Sequence, residues 1–174
     1  AAGALQYIDE ETRTWTTEGF EAAMAAIKTA IDNGTVTVAT PGIVYCGAQG
    51  GDQGTRALVN NLYSDYYVTE DGTSYNANSA NNVKALTLLQ NMVNAGSLSA
   101  NASYAAADEL QAFANQTCAV SFCWNFSNYS QYADKTQFTP FAMAFPSDDG
   151  TPELEMAGPY GFGIFDNKDQ AKID

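Results

Sequence analysis

The side chains with the most capacity for chemistry in this sequence lie in two loops and at one strand end. Residues 47–54 form a glycine-rich loop between a predicted strand and a predicted helix, the usual place of a phosphate-binding loop. The loop lacks the Gly-x-Gly-x-x-Gly spacing and the Lys that nucleotide-binding motifs need. It is therefore either a glycine turn with solvated side chains or a ligand-contacting loop at the carboxyl end of a strand. Its candidate contacts are Gln49, Gly50, Gly51, Asp52 and Gln53.

The second loop, residues 146–155, carries four carboxylates, Asp148, Asp149, Glu153 and Glu155. A glycosidase needs a pair of carboxylates facing each other across a cleft. These four crowd one turn around a Gly and a Pro, which is typical of a solvated loop. The chain also has no His, which excludes His-based triads and the common His-ligated zinc sites. The sequence therefore predicts no enzyme, no cofactor and no metal site.

The strand end is the segment 124–129, in which Trp124 and Asn125 follow an apolar strand and open a helix. An indole face packs against the apolar C–H patch of a pyranose ring, while amides bind the sugar hydroxyls. A Trp at a strand end is also often part of the core. The local chemistry leaves both interpretations open.

The helices that must position these residues are indicated by caps and by apolar residues near the 3.6-residue period. One begins after Thr16 or Thr17 and ends at Asn33-Gly34. Another begins after Ser79, ends at Gly96 and presents Val83, Leu86, Leu89 and Val93 on one face. Shorter helices are predicted over residues 53–63, 104–115 (burying Leu110 and Phe113) and 127–133.

Strands are predicted between these helices, and Asp71-Gly72 is a hairpin-turn signal. Because helices and strands mix along the whole chain, the predicted class is α/β, with a central mixed sheet flanked by helices in a single domain, residues 1–174. The predicted strands are residues 35–40, 43–46, 118–123, 138–145 and 161–165.

The composition of the chain excludes several further classes of protein. The 174 residues carry a formal net charge of −13, which disfavours binding to nucleic acid or to an anionic membrane. Hydrophobic residues make up 45%, which is too many for a disordered chain. No apolar run approaches the roughly 18 residues of a membrane span. The N-terminus lacks a signal-peptide pattern, so the chain is either intracellular or has its targeting segment elsewhere.

The three cysteines are Cys46, Cys118 and Cys123. Along one strand, Cys118 and Cys123 would lie about 17 Å apart, at roughly 3.3 Å per residue, far beyond disulfide reach. A Cys46–Cys123 bridge is geometrically allowed if the two strand ends are neighbours. The alternative is three small buried thiols.

Several segments, taken in order, resemble the carbohydrate-binding group of extracellular solute-binding proteins of ABC transporters, the group that includes maltose-binding protein. The features that carry the resemblance are Thr14-Trp15-Thr16-Thr17, the Asp71-Gly72 turn, the helix 79–96, the segment 110–115 leading into the strand 118–122, Trp124, Phe145-Pro146, and the Gly-rich segment 158–164. Their order covers almost the whole chain.

The resemblance implies one lobe of a type II periplasmic-binding-protein-like fold, the C-terminal lobe, without its partner lobe and the C-terminal helices. Ligand would sit in the cleft between the lobes and hinge closure would bury it. The ligand contacts implied on this lobe are Trp124 as the stacking platform, then Tyr160, Gly50, Gly51 and Asp52, with Tyr45, Gln49 and Asn125 behind them.

The partners implied are a sugar or oligosaccharide and, through the full-length protein, the membrane permease; no nucleic acid is expected, and the protein should be a monomer. The implied location is extracellular or periplasmic, with a lipoprotein anchor outside this chain in a Gram-positive source. Three alternatives remain: a binding protein of the same fold for a non-sugar solute, a glycoside-hydrolase fragment, and an adhesin-type carbohydrate-recognition fragment.

Overall fold

The computed structural model of this chain describes residues 2–47 and 53–152. The predicted strand 161–165 lies outside the described residues. So do five of the candidate ligand contacts, which are Gln49, Gly50, Gly51, Asp52 and Tyr160.

The described part contains five α-helices, preceded by a 3-10 helix, Ala4–Tyr7. The first α-helix begins as predicted, because the Thr16 hydroxyl accepts a bond from the Gly19 amide, and it ends just before Gly34, which has a φ of +73°. Every helix predicted from the sequence is present, with small differences at the ends. The helices are α1 (Thr17–Asp32), α2 (Gln53–Leu62), α3 (Ala80–Asn94), α4 (Ala106–Ala114) and α5 (Phe126–Tyr132).

Three strands, β1 (Thr40–Tyr45), β2 (Ser99–Asn101) and β3 (Cys118–Val120), form a sheet in the order β2-β1-β3. The central strand β1 pairs in parallel with both neighbours. The α/β class is therefore confirmed. The prediction of a mixed sheet is wrong, because both strand pairings in the described sheet are parallel.

The strand predicted over residues 35–40 is also wrong, because β1 starts only at Thr40. The amides of Thr35 and Val36 both donate to the Ala30 carbonyl, so the residues after α1 complete the helix end instead of a sheet ladder. Strand β3 is shorter than the predicted strand 118–123. It ends early because the Phe122 amide donates to the Glu109 carboxylate and not to a neighbouring strand.

Residues 138–145 are not a strand, although part of this segment runs beside the residues that precede α1. The Ala144 amide donates to the Arg13 carbonyl, and the Trp15 indole N–H donates to the Ala144 carbonyl at 2.8 Å. The Asp71-Gly72 turn is confirmed. An isolated antiparallel bridge joins Val68 and Tyr75 around it.

The buried face of α3 differs from the predicted one. Val83 and Leu86 are 51% and 48% exposed, whereas Leu89 is buried. The cause lies at the start of the helix, where Asn82 is fully buried because its amide donates to the carbonyls of Tyr66 and Asn76. This bond pair fixes the rotation of α3, and the inward positions are Asn82, Ala85, Leu89 and Met92.

The main core lies where α1, α2 and α3 pack on the sheet, and its largest buried members include Phe20, Met24, Leu58, Leu62 and Phe122. A second, smaller cluster joins Ile43 of β1 and Cys118 of β3 to Phe113 of α4. Of the helices described, none is long and apolar enough to cross a membrane.

Candidate functional site

The strand order reverses at β1, the central strand of the sheet. The chain passes from β1 to β2 on one side and later returns to β3 on the other side of β1. In parallel α/β sheets, such a reversal opens a gap between the carboxyl ends of the two strands, and ligands bind there. The segment that follows the carboxyl end of β3, Ser121 to Asn125, is the one that leads into α5.

Trp124 is half-buried in this segment, with its indole ring anchored on neighbouring rings. The ring centroid lies 5.0 Å from that of Phe113 and 5.5 Å from that of Tyr132. Trp124 also lines a cavity of about 580 Å³ that lies beside β3. Trp124 is therefore part core and part cavity wall, and its contact with a sugar stays a prediction.

Asn125 and Tyr129 lie next to Trp124 on the same cavity wall. The Asn125 side chain caps α5 by accepting from the Asn128 amide at 3.1 Å, and the Asn128 side chain accepts from the Asn125 amide at 3.0 Å. This reciprocal cap fixes the first turn of α5. Tyr129, one helical turn later, is 46% exposed. We call Trp124, Asn125 and Tyr129 the Trp124 surface.

Tyr129 was not among the ligand contacts expected from the sequence. The signal that could have found it is its position four residues after Asn125, which places both on one face of a helix. Most of the remaining cavity lining is apolar and comes from the segment 138–146 and from the start of the chain. It includes Trp15, Phe138, Phe141, Met143 and Phe145.

Tyr45, another expected ligand contact, is 2% exposed and does not line this cavity. Its ring fills the space between β1 and the start of α2, where a Cβ on Gly54 would meet its hydroxyl at 2.6 Å. Burial raises the pKa of Tyr45 well above its usual range, and the neighbouring Cys123 and Glu109 raise it further. Tyr45 is thus a core residue of the β1 end.

Cys46, Cys118 and Cys123 are all free thiols in the structure. No Cys46–Cys123 bridge is formed. The ladder between β1 and β3 ends at the Gly42–Val120 pair, so it does not set these two cysteines opposite each other. Burial raises the pKa of Cys118 to about 12 and also raises the pKa of Cys123.

A buried charged residue lies against the segment that precedes Trp124 and was not among the expected site residues. Glu109 of α4 is fully buried, and its carboxylate accepts from the Ser121 hydroxyl at 2.7 Å and from the Phe122 amide at 2.8 Å. Burial raises the pKa of Glu109 to about 7, against the lowering effect of the two hydrogen bonds. Its spacing from Phe113, four residues on, was the available signal that it faces inward.

The described residues offer no metal centre, since no three His, Cys, Asp or Glu side chains in ranges 2–47 and 53–152 converge on one point. The carboxylates of the turn at 148–149 are exposed, and Asp149 accepts from the Thr151 amide, which is an ordinary turn contact. The arrangement at the Trp124 surface can stack a ring and bind hydroxyls.

Comparisons with known proteins do not assign this chain to a family. No family model matches the chain, no curated protein matches it, and no solved structure matches its fold. The resemblance to solute-binding proteins stays a prediction that these comparisons do not test.

Proposed function

We propose that this chain is one lobe of an extracellular solute-binding protein of an ABC transporter and that it binds a sugar or oligosaccharide at the Trp124 surface. The observation that carries the proposal is the position of Trp124. It follows the carboxyl end of β3, with an anchored indole on the wall of a cavity of about 580 Å³ that β3, α1 and the segment 138–146 line. Small-molecule sites are commonly cavities of about 300–1,000 Å³.

The chemistry of this wall suits a pyranose. The indole of Trp124 offers an apolar face for the C–H side of the ring, held in place by Phe113 and Tyr132. Asn125 and Tyr129 add an amide and a phenol hydroxyl on the same wall, for the ring hydroxyls. A rigid aromatic platform binds with little loss of side-chain entropy, because its neighbours already fix its rotamer.

In the proposed mechanism, this lobe supplies one wall of a cleft and its partner lobe supplies the other. Closure about the hinge then buries the sugar, and the closed form docks on the membrane permease. The net charge of −13 gives the molecule a strongly anionic field, so a neutral sugar suits it better than an anionic solute.

A second candidate is a solute with a large apolar part. It is favoured by one observation, the run of apolar side chains that continues the cavity beyond Trp124, namely Phe138, Phe141, Met143 and Phe145. A peptide or another partly apolar solute would use this part of the wall while its polar end lay near Asn125.

The test is a titration of the intrinsic Trp fluorescence with glucose, maltose, maltotriose, cellobiose and xylobiose up to millimolar concentrations, since one lobe offers a single wall. A saturable change with one of these sugars is expected. Tyr129→Ala should weaken that binding by about 1–2 kcal/mol without loss of stability, because Tyr129 is half exposed.

Trp124→Ala should weaken sugar binding by about 1–3 kcal/mol, but it also removes ring contacts with Phe113 and Tyr132. Thermal unfolding of each variant therefore accompanies the titration. The matched control is Tyr75→Ala, which removes an aromatic side chain that is 90% exposed and far from the cavity lining in sequence. No saturable response to any sugar, or equal binding by wild type and Tyr129→Ala, would overturn the proposal.

A further inference from the structure

The fully buried Glu109 belongs to α4, yet its hydrogen bonds go to the segment that carries Trp124. The carboxylate accepts from the Ser121 hydroxyl and from the Phe122 amide. The Ser121 hydroxyl oxygen in turn accepts from the Cys123 amide at 3.3 Å. One side chain thus fixes the three residues that immediately precede Trp124.

The groups that face Glu109 come from each element packed on it. In the described part of the chain they are Tyr45 on β1, Cys118 on β3 and Cys123 after β3. Each of these groups has a raised pKa, so all three are uncharged at neutral pH. None of them is a cation, and an ionised carboxylate buried without a cation is costly.

We propose that Glu109 is a positioning residue for the Trp124 surface, which it holds in the ligand-binding arrangement only while it carries a proton. This proposal deepens the proposed function and rests on it for the ligand, although its first test needs no ligand.

The neutral and ionised forms of Glu109 have different consequences for the Ser121–Trp124 segment. A neutral carboxylic acid can donate its O–H to the Ser121 hydroxyl oxygen and accept from the Phe122 amide with its other oxygen, while the partly exposed Ser121 hydroxyl turns its own hydrogen to solvent. An ionised carboxylate is stabilised most by water, which reaches it only if residues 121–124 move away. The pKa of about 7 places the change within the neutral range. The Trp124 surface should therefore be lost as the pH rises above 7.

The first experiment follows the emission of Trp124 alone between pH 5.5 and 9. The chain has two Trp residues, so the Trp15→Phe variant of this chain leaves Trp124 as the single Trp, which is excited at wavelengths that the ten tyrosines do not absorb. We expect a one-proton transition with a midpoint near pH 7, towards a more water-exposed indole at high pH. Glu109→Gln in the same background should abolish the transition.

Two further variants separate positioning from a general structural role. Ser121→Ala removes a hydrogen bond that favours the ionised form, so the midpoint should move to higher pH. Glu11→Gln, a change at an exposed carboxylate, should leave the midpoint where it is. A pH-independent emission in the Trp15→Phe protein, or a transition that persists in Glu109→Gln, overturns the proposal.

The second experiment measures maltotriose affinity, or that of whichever sugar of the panel binds, at pH 6 and pH 8.5. We expect about five- to tenfold weaker binding at pH 8.5 in the wild type and unchanged binding in Glu109→Gln, within the limit of about tenfold per pH unit for one proton. Sugar binding that is equally strong at both pH values overturns the coupling to ligand. An emission transition with no sugar binding overturns the proposed function and leaves the positioning role of Glu109 intact.

Discussion

Asn82 on α3 and Glu109 on α4 have similar structural roles, because each holds a loop in place. Each is a fully buried polar side chain near the start of a helix, and each bonds to a loop that its own helix does not contain. Asn82 of α3 donates to the carbonyls of Tyr66 and Asn76 and so holds both ends of the turn-bearing loop 66–76. Glu109 of α4 accepts from Ser121 and Phe122 and so holds the loop before Trp124.

The difference between them is that an amide does not titrate and a carboxyl group does. The loop held by Asn82 should be equally firm at every pH at which the protein is folded. The loop held by Glu109 depends on whether one proton is present, because its pKa of about 7 lies in the neutral range. The segment before the Trp124 surface is thus held by Glu109, and of these two residues only Glu109 titrates.

The largest expected effect is on the pH dependence of stability. The pKa of Glu109 is raised in the folded state from an ordinary value of 4.5 to about 7. A raised pKa means that the stabilising contribution is fully present below pH 4.5 and is lost as the pH rises through 7. At about 1.4 kcal/mol per pKa unit, Glu109 should lower the free energy of unfolding by about 3 kcal/mol between these pH values.

Urea denaturation of wild type and Glu109→Gln at pH 5, 6, 7 and 8 measures this contribution as the difference between the two curves. The difference isolates Glu109 from the general repulsion of a chain with a net charge of −13. Parallel curves across this range would mean that Glu109 titrates in the folded state as it does in the unfolded state.

Asn82→Ala should have the next largest effect, about 1–3 kcal/mol, since it removes two hydrogen bonds made by a fully buried amide and leaves a gap in its place. The loss should be the same at pH 5 and pH 8, measured by urea denaturation. Asn81→Ala is the matched control, because Asn81 is exposed and donates to the Tyr63 carbonyl alone. If the loss of unfolding free energy in Asn82→Ala changes with pH, Asn82 and Glu109 do not differ as described.

Gly72→Ala should have the smallest effect, about 1 kcal/mol. Gly72 has a φ of +68°, a conformation that costs an L side chain about this much, and a Cβ there would meet nothing within 4 Å. Thermal unfolding should therefore shift by only a few degrees. A loss as large as that of Asn82→Ala would show that the tip of the 66–76 loop, and not its base, determines its stability.

The helices could be predicted from the sequence because their caps and apolar periods are local signals, as with Thr16 at α1 and Ser79 at α3. The strands were predicted less well, because their ends depend on partners distant in sequence. Thr35 is extended in character but bonds back to α1, and Phe122 leaves the ladder for the Glu109 carboxylate.

Two members of the Trp124 surface could be selected from the sequence. Trp124 could be selected from its place between an apolar strand and a helix, and Asn125 from its place as a helix cap. Glu109 has only a weak signal, its spacing from Phe113, because a charged residue in a helix is normally assigned to the surface. Only the fold shows that Ser121 and Phe122 satisfy its carboxylate. Asn82 on α3 is similar, because a polar residue is normally assigned to the surface. It is buried, and Val83, which was predicted to face inward, is half exposed.

The most direct measurement of the central claim is an ¹H–¹⁵N correlation spectrum of the indole N–H groups during a sugar titration. The two tryptophans give two peaks, which Trp15→Phe assigns. Trp15 lines another part of the same cavity and its N–H is bonded to the Ala144 carbonyl, so its peak should move less than that of Trp124. The proposal predicts a saturable shift of the Trp124 peak with one sugar of the panel at pH 6. A Trp124 peak that stays in place at millimolar sugar would contradict it.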